Sequence, residues 1–195
     1  MAIPETVTSI GEYAFFSCRE LTEITIPDSV TDLARGALSG CEKLTSFTIP
    51  TKITSIEREL LSGCRGLTSI TIPPNITSIG IHEFSSCVGL TNIIIPDSVT
   101  TIGDYAFQTC SGLESVTFSS SVTSYGNNSF KYDRNLTSIT IDSAYVAGSF
   151  STGFFPYVKT VYVKNGLEVG WQLEREFTKQ ETSDKAGYDK YVKNS

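Results

Sequence analysis

The chain is poor in the residues that carry most side-chain chemistry. Its 195 residues include one histidine, one tryptophan and one methionine, and only 18% are charged. It holds no run of 18 apolar residues, so no membrane-spanning helix is expected. Lysine and arginine nowhere cluster, and the net charge is −6. Neither nucleic acid nor an anionic membrane surface finds a basic footprint on such a chain. There is no Gly-x-Ser-x-Gly, no phosphate-binding Walker loop, no His-Glu-x-x-His and no dinucleotide fingerprint. The single imidazole, His82, would need a partner within reach to act as a base. Enzymatic activity, a cofactor and a metal are therefore not expected. The opening Met1-Ala2-Ile3-Pro4-Glu5 lacks a basic stretch followed by an apolar core, so no signal peptide is read there. What remains, 39% apolar in 195 residues, suffices for one domain with a sizeable core.

What the chain has is a period. Cysteine falls at Cys18, Cys41, Cys64, Cys87 and Cys110, each 23 residues after the last. Leucine keeps the same step at Leu21, Leu44, Leu67, Leu90, Leu113 and Leu136. An Ile-Pro pair recurs from Ile3-Pro4 to Ile95-Pro96, then decays to Phe118-Ser119 and Ile141-Asp142. Phe15, Leu38, Leu61, Phe84, Phe107 and Phe130 form another column, and Val7, Val30, Ile53, Ile76, Val99 and Val122 a further one. A unit this short cannot bury its own apolar face. Stacked units turn each column into a continuous ladder, and the ladders together into a core.

Within a unit, Leu67-Thr68-Ser69-Ile70-Thr71-Ile72 alternates and is rich in β-branched residues, which predicts a strand. One strand per 23-residue repeat predicts a parallel sheet with strands about 4.8 Å apart. The proline after the strand cannot donate to a ladder and ends the pairing. The remainder returns along the opposite side, with Gly11, Gly80, Gly103 and Gly126 marking a turn. It is long enough only for a short helical or 3₁₀ turn.

The unit Leu-x-x-Ile-x-Ile-Pro-x-x-Val-x-x-Ile-Gly-x-x-Ala-Phe-x-x-Cys resembles the BspA-like leucine-rich repeat. Residues 90–110 carry it most fully, in Leu90, Ile93, Ile95-Pro96, Val99, Ile102-Gly103, Ala106-Phe107 and Cys110. The likeness extends over roughly residues 1–163. It implies an α/β-type architecture, a right-handed curved leucine-rich-repeat solenoid from a secreted or surface protein. By the same resemblance the partner is a protein or glycan of a host or matrix, bound in adhesion.

Both ends depart from the repeat. Ile3-Pro4 is the end of a strand whose first half is absent, which predicts an exposed apolar edge; a mature or excised segment of a longer protein would begin in this way. Towards the other end Asp133 takes the cysteine position and Asp142 the proline position. The last unit, 158–163, sits 22 residues beyond its predecessor. Residues 164–195 are different in kind. Leu167, Trp171, Glu174 and Phe177 lie near helical spacing. They predict an amphipathic helical cap with the tryptophan inside, and a second short helical piece is expected to hold Tyr188, Tyr191 and Val192.

Two groups of residues invite a functional reading. The cysteines are too far apart in sequence for a zinc site. Their stacking distance would permit disulfides, but their apolar register favours a reduced, buried and unreactive ladder. The second group is the outward face of the strands. Inward apolar residues leave Glu23, Thr25, Ser46, Thr48, Ser69, Thr71, Asn92, Ile94, Ser115, Thr117, Ser138, Thr140, Thr160 and Tyr162 pointing out. Threonine suits an exposed strand in its own right. Read functionally, the column is a neutral, hydroxyl-rich binding surface. An ice-binding array would need a flat face and no interruption by Glu23, Ile94 and Tyr162. His82 shares a variable and so exposed column with Tyr13, Gly36, Glu59, Tyr105 and Asn128. The three Asn-x-Ser/Thr sites, at Asn75, Asn127 and Asn135, are expected by chance in a chain this rich in serine and threonine. The expectation is a monomeric, non-catalytic binding module; the alternative is a structural spacer within a larger surface protein.

Overall fold

A computed structural model describes residues 1–56, 58–118, 121–142, 155–165, 177–180 and 183–194. Among these, thirteen short strands follow one another: β1 (Ser9–Ile10), β2 (Asp32–Leu33), β3 (Ser46–Thr48), β4 (Ser69–Thr71), β5 (Ser78–Ile79), β6 (Asn92–Ile95), β7 (Thr101–Ile102), β8 (Ser115–Phe118), β9 (Ser124–Tyr125), β10 (Ser138–Ile141), β11 (Thr160–Lys164), β12 (Phe177–Lys179) and β13 (Tyr188–Lys193). The predicted repeat strands are β3, β4, β6, β8, β10 and β11. They pair in parallel one repeat apart, Ser46 with Ser69, Asn92 with Ser115 and Ser115 with Ser138. The last step, Ser138 with Thr160, is the 22-residue one. The solenoid is thus the expected one, with one parallel strand per repeat.

The return side carries its own short parallel ladders, β1 with β2 and β5 with β7 with β9. Between each return strand and the next repeat strand the chain makes a run of turns, and no helix is present among the described residues. Each run uses two left-handed residues, such as His82 (φ 56°) with Ser86 (φ 62°), or Gly36 (φ 61°) with Gly40 (φ 74°). That alternation breaks the helical or 3₁₀ turn expected from length. It aims backbone N–H groups at the next repeat instead: Phe84 N–H donates to Ala106 carbonyl at 2.7 Å and Ser86 N–H to Gln108 carbonyl at 2.8 Å. Gly103 and Gly126 serve this stacking in another way. A Cβ on Gly126 would lie 2.2 Å from Asp104 N, and one on Gly103 2.8 Å from the Gly80 carbonyl carbon. They are needed for the close approach of successive backbones rather than for a special turn.

The columns do form the core. Phe84, Phe107 and Phe130 are fully buried and stack at 5.2 and 4.9 Å between ring centroids. Phe155, beyond the regular repeats, continues the stack 4.8 Å from Phe130. All five cysteines are free thiols; Cys41, Cys64, Cys87 and Cys110 are fully buried. Each buried thiol donates to a carbonyl of the preceding turn, from Cys41 Sγ to Phe15 O (3.2 Å) to Cys110 Sγ to Phe84 O (2.9 Å). Burial pushes the Cys41 thiol up to about 11 and holds Cys64, Cys87 and Cys110 well above the ordinary thiol value too. Cys18 departs from the expectation: it is exposed, because in the first repeat nothing among the described residues covers that end of the ladder. A thiol reagent under native conditions is therefore expected to label Cys18 alone quickly. Mass spectrometry after a short pulse checks this, and rapid addition of two or more labels would contradict the buried ladder.

The C-terminal segment corrects the expected helical cap. Phe177 and Tyr191, placed on helices by their spacing, lie on β12 and β13. β13 pairs antiparallel with β11, Val161 opposite Tyr191, and β12 pairs antiparallel with β13. The physical reason is the edge of a parallel sheet. β11 would otherwise present a row of unpaired N–H and C=O groups, and an added strand satisfies them where a helix would not. Phe177 and Tyr191 still turn inward, 1% and 5% exposed. Leu167, Trp171 and Glu174 lie outside the described residues.

Candidate binding face

The outward column is assembled by the parallel register. Thr48 is level with Thr71, Ile94 with Thr117, Thr117 with Thr140, and Thr140 with Tyr162. Ser46, Ser69, Asn92, Ser115, Ser138 and Thr160 form a second file at the strand starts. Glu23 and Thr25 stand at the N-terminal end outside the named strands, where Thr25 bridges to Ala2. From Glu23 to Ile94 these residues are exposed, and Ser115 and Thr117 are half-buried. Ile94 is 65% exposed, the most open large apolar side chain among the described residues.

Beyond Thr117 the face is not open as the alternation alone suggests. Thr140 is only 6% exposed. Residues 183–187, between β12 and β13, lie across this end of the sheet. Lys185 Nζ donates to Thr140 Oγ1 at 2.8 Å, and Tyr162 O–H donates to Asp184 Oδ1 at 2.8 Å. Partial burial, and then that hydrogen bond, hold the Tyr162 phenol above its ordinary range, and the same bond lowers the Asp184 carboxyl. Alternation along a strand says which way a side chain points but not what else folds over it, and so the cover was invisible in the strand pattern.

Two further features have no signal in the repeat pattern. β4 and β6 are consecutive in the stack, yet they belong to separately hydrogen-bonded sheets. A cleft of about 280 Å³ opens along that break, lined by Ser69–Ile72, Asn92–Ile94 and Pro96. It sits beside Ile94, in the middle of the outward face. The second is Asp133, whose cysteine column made it a marker of repeat decay. It is fully buried; its Oδ1 accepts from Cys110 N–H at 2.7 Å, and its Oδ2 has no hydrogen-bond partner among the described residues. Burial raises its carboxyl to about 8.

The return side offers less chemistry. His82 is half-buried rather than exposed, and its ring stacks on Tyr105 at 4.8 Å with 5° between planes. Asn75 and Asn135 donate their amides to carbonyls of the preceding repeat, Asn135 Nδ2 to Ser111 O at 2.7 Å and Asn75 Nδ2 to Thr51 O at 2.9 Å. No group of three or more His, Cys, Asp or Glu side chains that could hold a metal occurs among the described residues. Nor, among them, is any helix long and apolar enough to cross a membrane.

Comparison with known proteins agrees with this architecture. A leucine-rich repeat protein of T. pallidum is similar in structure, with 25% identity and a TM-score of 0.65, over 81% of this chain and 77% of that one. One from Eubacterium ventriosum has 25% identity and a TM-score of 0.59, over 78% of this chain and 45% of that one. For a Bacteroides ovatus leucine-rich repeat protein the values are 24% and 0.51, over 87% and 56%. The chain spans about half the length of the latter two. No curated protein matches in sequence. The BspA type leucine rich repeat region matches in six copies, over residues 1–92 and 78–165. Fold, repeat signature and match coincide over most of the chain, which belongs to the BspA-type leucine-rich repeat family.

Proposed function

We propose that the chain is a non-catalytic binding module of a cell-surface or secreted protein, and that a protein or glycan partner docks on the sheet face. Membership of a repeat family supports a binding or structural module in general. One observation carries the sharper reading: the outward side chains are held in register within two parallel ladders, Ser46–Thr48 with Ser69–Thr71 and Asn92–Ile94 with Ser115–Thr117, with a cleft between them beside Ile94. Side chains fixed by a ladder lose little ordering entropy when a partner arrives. Hydroxyl-rich files with few charges suit hydrogen bonding to an extended peptide or a sugar chain, and Ile94 adds the apolar contact.

The test uses two variants against a partner isolated from matrix proteins or a glycan array. One carries Arg at Thr71, Ile94 and Thr117. The other carries Arg at Thr101 and Ser124, exposed on β7 and β9 of the return side. The sheet variant is expected to lose tenfold or more in affinity, about 1.4 kcal/mol, and the return variant less than twofold. Loss in the return variant with binding kept in the sheet variant would sink the proposal. If no partner is found for the folded chain, the spacer reading takes its place.

A further inference from the structure

Residues 183–187 are tied to the end of the sheet face by two polar contacts, Asp184 to Tyr162 and Lys185 to Thr140. The second sets an ammonium group among aromatic rings. Lys185 Nζ lies 4.3 Å from the centroid of the Tyr188 ring and 5.7 Å from that of Tyr162, and it donates to Thr140 Oγ1 at 2.8 Å. The two rings are held in place through their hydroxyls. Tyr188 O–H donates to Asp142 Oδ1 at 2.6 Å and Tyr162 O–H to Asp184 Oδ1 at 2.8 Å. The same two carboxylates already have ammonium partners: Lys164 stands 3.4 Å from Asp142 and Lys190 3.1 Å from Asp184. No carboxylate within ion-pair distance of Lys185 occurs among the described residues. Its direct contacts are the faces of two tyrosines and one hydroxyl, and the Asp142 carboxylate behind the Tyr188 ring adds a longer-range attraction.

That arrangement is chemically specific. A cation within about 6 Å of a ring centroid is attracted by the ring quadrupole, and more strongly where water is partly excluded. A cover whose only task was to shield Thr140 would need no charge, and an apolar side chain would serve on the rings. The position is equally informative. Thr140 and Tyr162 are partners in register on β10 and β11, in the same outward file as Ile94 and Thr117. Anything lying along that file from the open end arrives at the cage.

We infer that the C-terminal end of the sheet face is a binding site for an alkylammonium group, the lysine side chain of a protein partner, and that Lys185 is the internal occupant which that lysine displaces. The identity of the incoming lysine rests on the binding reading above; the chemistry of the cage does not. The face then has two parts, an open stretch of hydroxyls with the cleft at Ile94 and a closed aromatic end. A partner engages the second only by lifting residues 183–187 off the sheet. This favours a protein over a glycan, because a neutral sugar offers nothing to replace the ammonium.

The experiment uses the full chain and two small probes, Nα-acetyl-lysine methylamide and its uncharged counterpart Nα-acetyl-norleucine methylamide. Lys185→Ala empties the cage. The lysine probe is expected to bind this variant weakly, in the millimolar range, shifting the tyrosine ring resonances and raising its melting temperature. The norleucine probe should do neither. The parent chain should respond at least tenfold more weakly, because its own lysine competes at high effective concentration. Adding Tyr188→Leu to Lys185→Ala should abolish the response. Binding of both probes alike, equal binding by the parent, retention after Tyr188→Leu or no binding at all would each overturn the inference. If Lys185→Ala proves unfolded, the lysine probe must restore its fold and the norleucine probe must not, and failure there overturns it too. A silent cage with arginine-sensitive partner binding sinks this inference alone; a responsive cage with arginine-insensitive partner binding sinks the sheet-face reading alone.

Discussion

Ending the chain after Asn165 is expected to lower the melting temperature by roughly 10–20 °C and to make the protein self-associate. β13 covers the open edge of β11 along five residue pairs, from Thr160 opposite Val192 to Lys164 opposite Tyr188. Phe177 and Tyr191 close the end of the core at 1% and 5% exposure. Burying two such side chains contributes about 1.5–3 kcal/mol each. For a domain of this size each kcal/mol corresponds to about 2–4 °C. The exposed β11 edge would then offer its backbone groups to any other strand, which is the usual route to aggregation. Phe177→Ala combined with Tyr191→Ala separates the two effects: it should cost a similar stability while keeping the edge covered, so the variant stays monomeric. Calorimetry and light scattering read both quantities. A truncated chain that melts with the parent and stays monomeric would show that the hairpin is not a cap.

The stability of the protein is expected to fall as pH rises from about 4 to about 8, and Asp133 is the reason. Its carboxyl is fully buried, with one hydrogen bond to Cys110 N–H and a second oxygen without a hydrogen-bond partner among the described residues. Burial moves it from an ordinary 3.8 to about 8 in the folded chain. Below the lower value both states hold the proton, and above the upper value neither does. Between them the unfolded chain has released a proton that the folded chain still holds. Folding loses about 1.4 kcal/mol for each pH unit across that window. At pH 7 the loss reaches roughly 4 kcal/mol, a large share of a typical domain's stability. Asp133→Asn keeps an acceptor for Cys110 N–H and cannot ionise; Asp133→Cys restores the repeat. Either should flatten the profile and leave the variant more stable than the parent at pH 8 than at pH 4 by a few kcal/mol. Denaturant unfolding at a series of pH values checks this, and parallel profiles for parent and variants would contradict it.

Much of this molecule is legible in its residue order. The 23-residue step of Cys41, Leu44 and Phe107 and their relatives sets which atoms stack on which, because in a solenoid each repeat touches mainly its neighbours. Periodicity along the chain then becomes geometry directly. The strands, their parallel register, the buried cysteine ladder and the outward threonine file all followed from it. So did the exposure of the first repeat, since Phe15 and Leu21 are only partly buried where their successors Leu38 and Leu44 are fully so.

What lies outside the repeat depends on contacts between distant parts of the chain. Tyr188, Tyr191 and Val192 have helical spacing, but the demand of an open sheet edge made them a strand. Spacing describes a segment's own preference, whereas an unpaired edge is a property of the neighbour it meets. The left-handed residues of the turns, His82 and Ser86 among them, are set by the next repeat's carbonyls and carry no composition signal when glycine is not used. Asp133 looked like mere decay of a column, and only its burial made it a titrating core residue. Thr140 and Tyr162 point outward as their strand positions require, yet residues more than twenty positions later fold back over them. The scaffold and the direction of its side chains follow from residue order alone, because they depend on local alternation and a fixed period. Which part of the face stays open was decided only by long-range contacts made once.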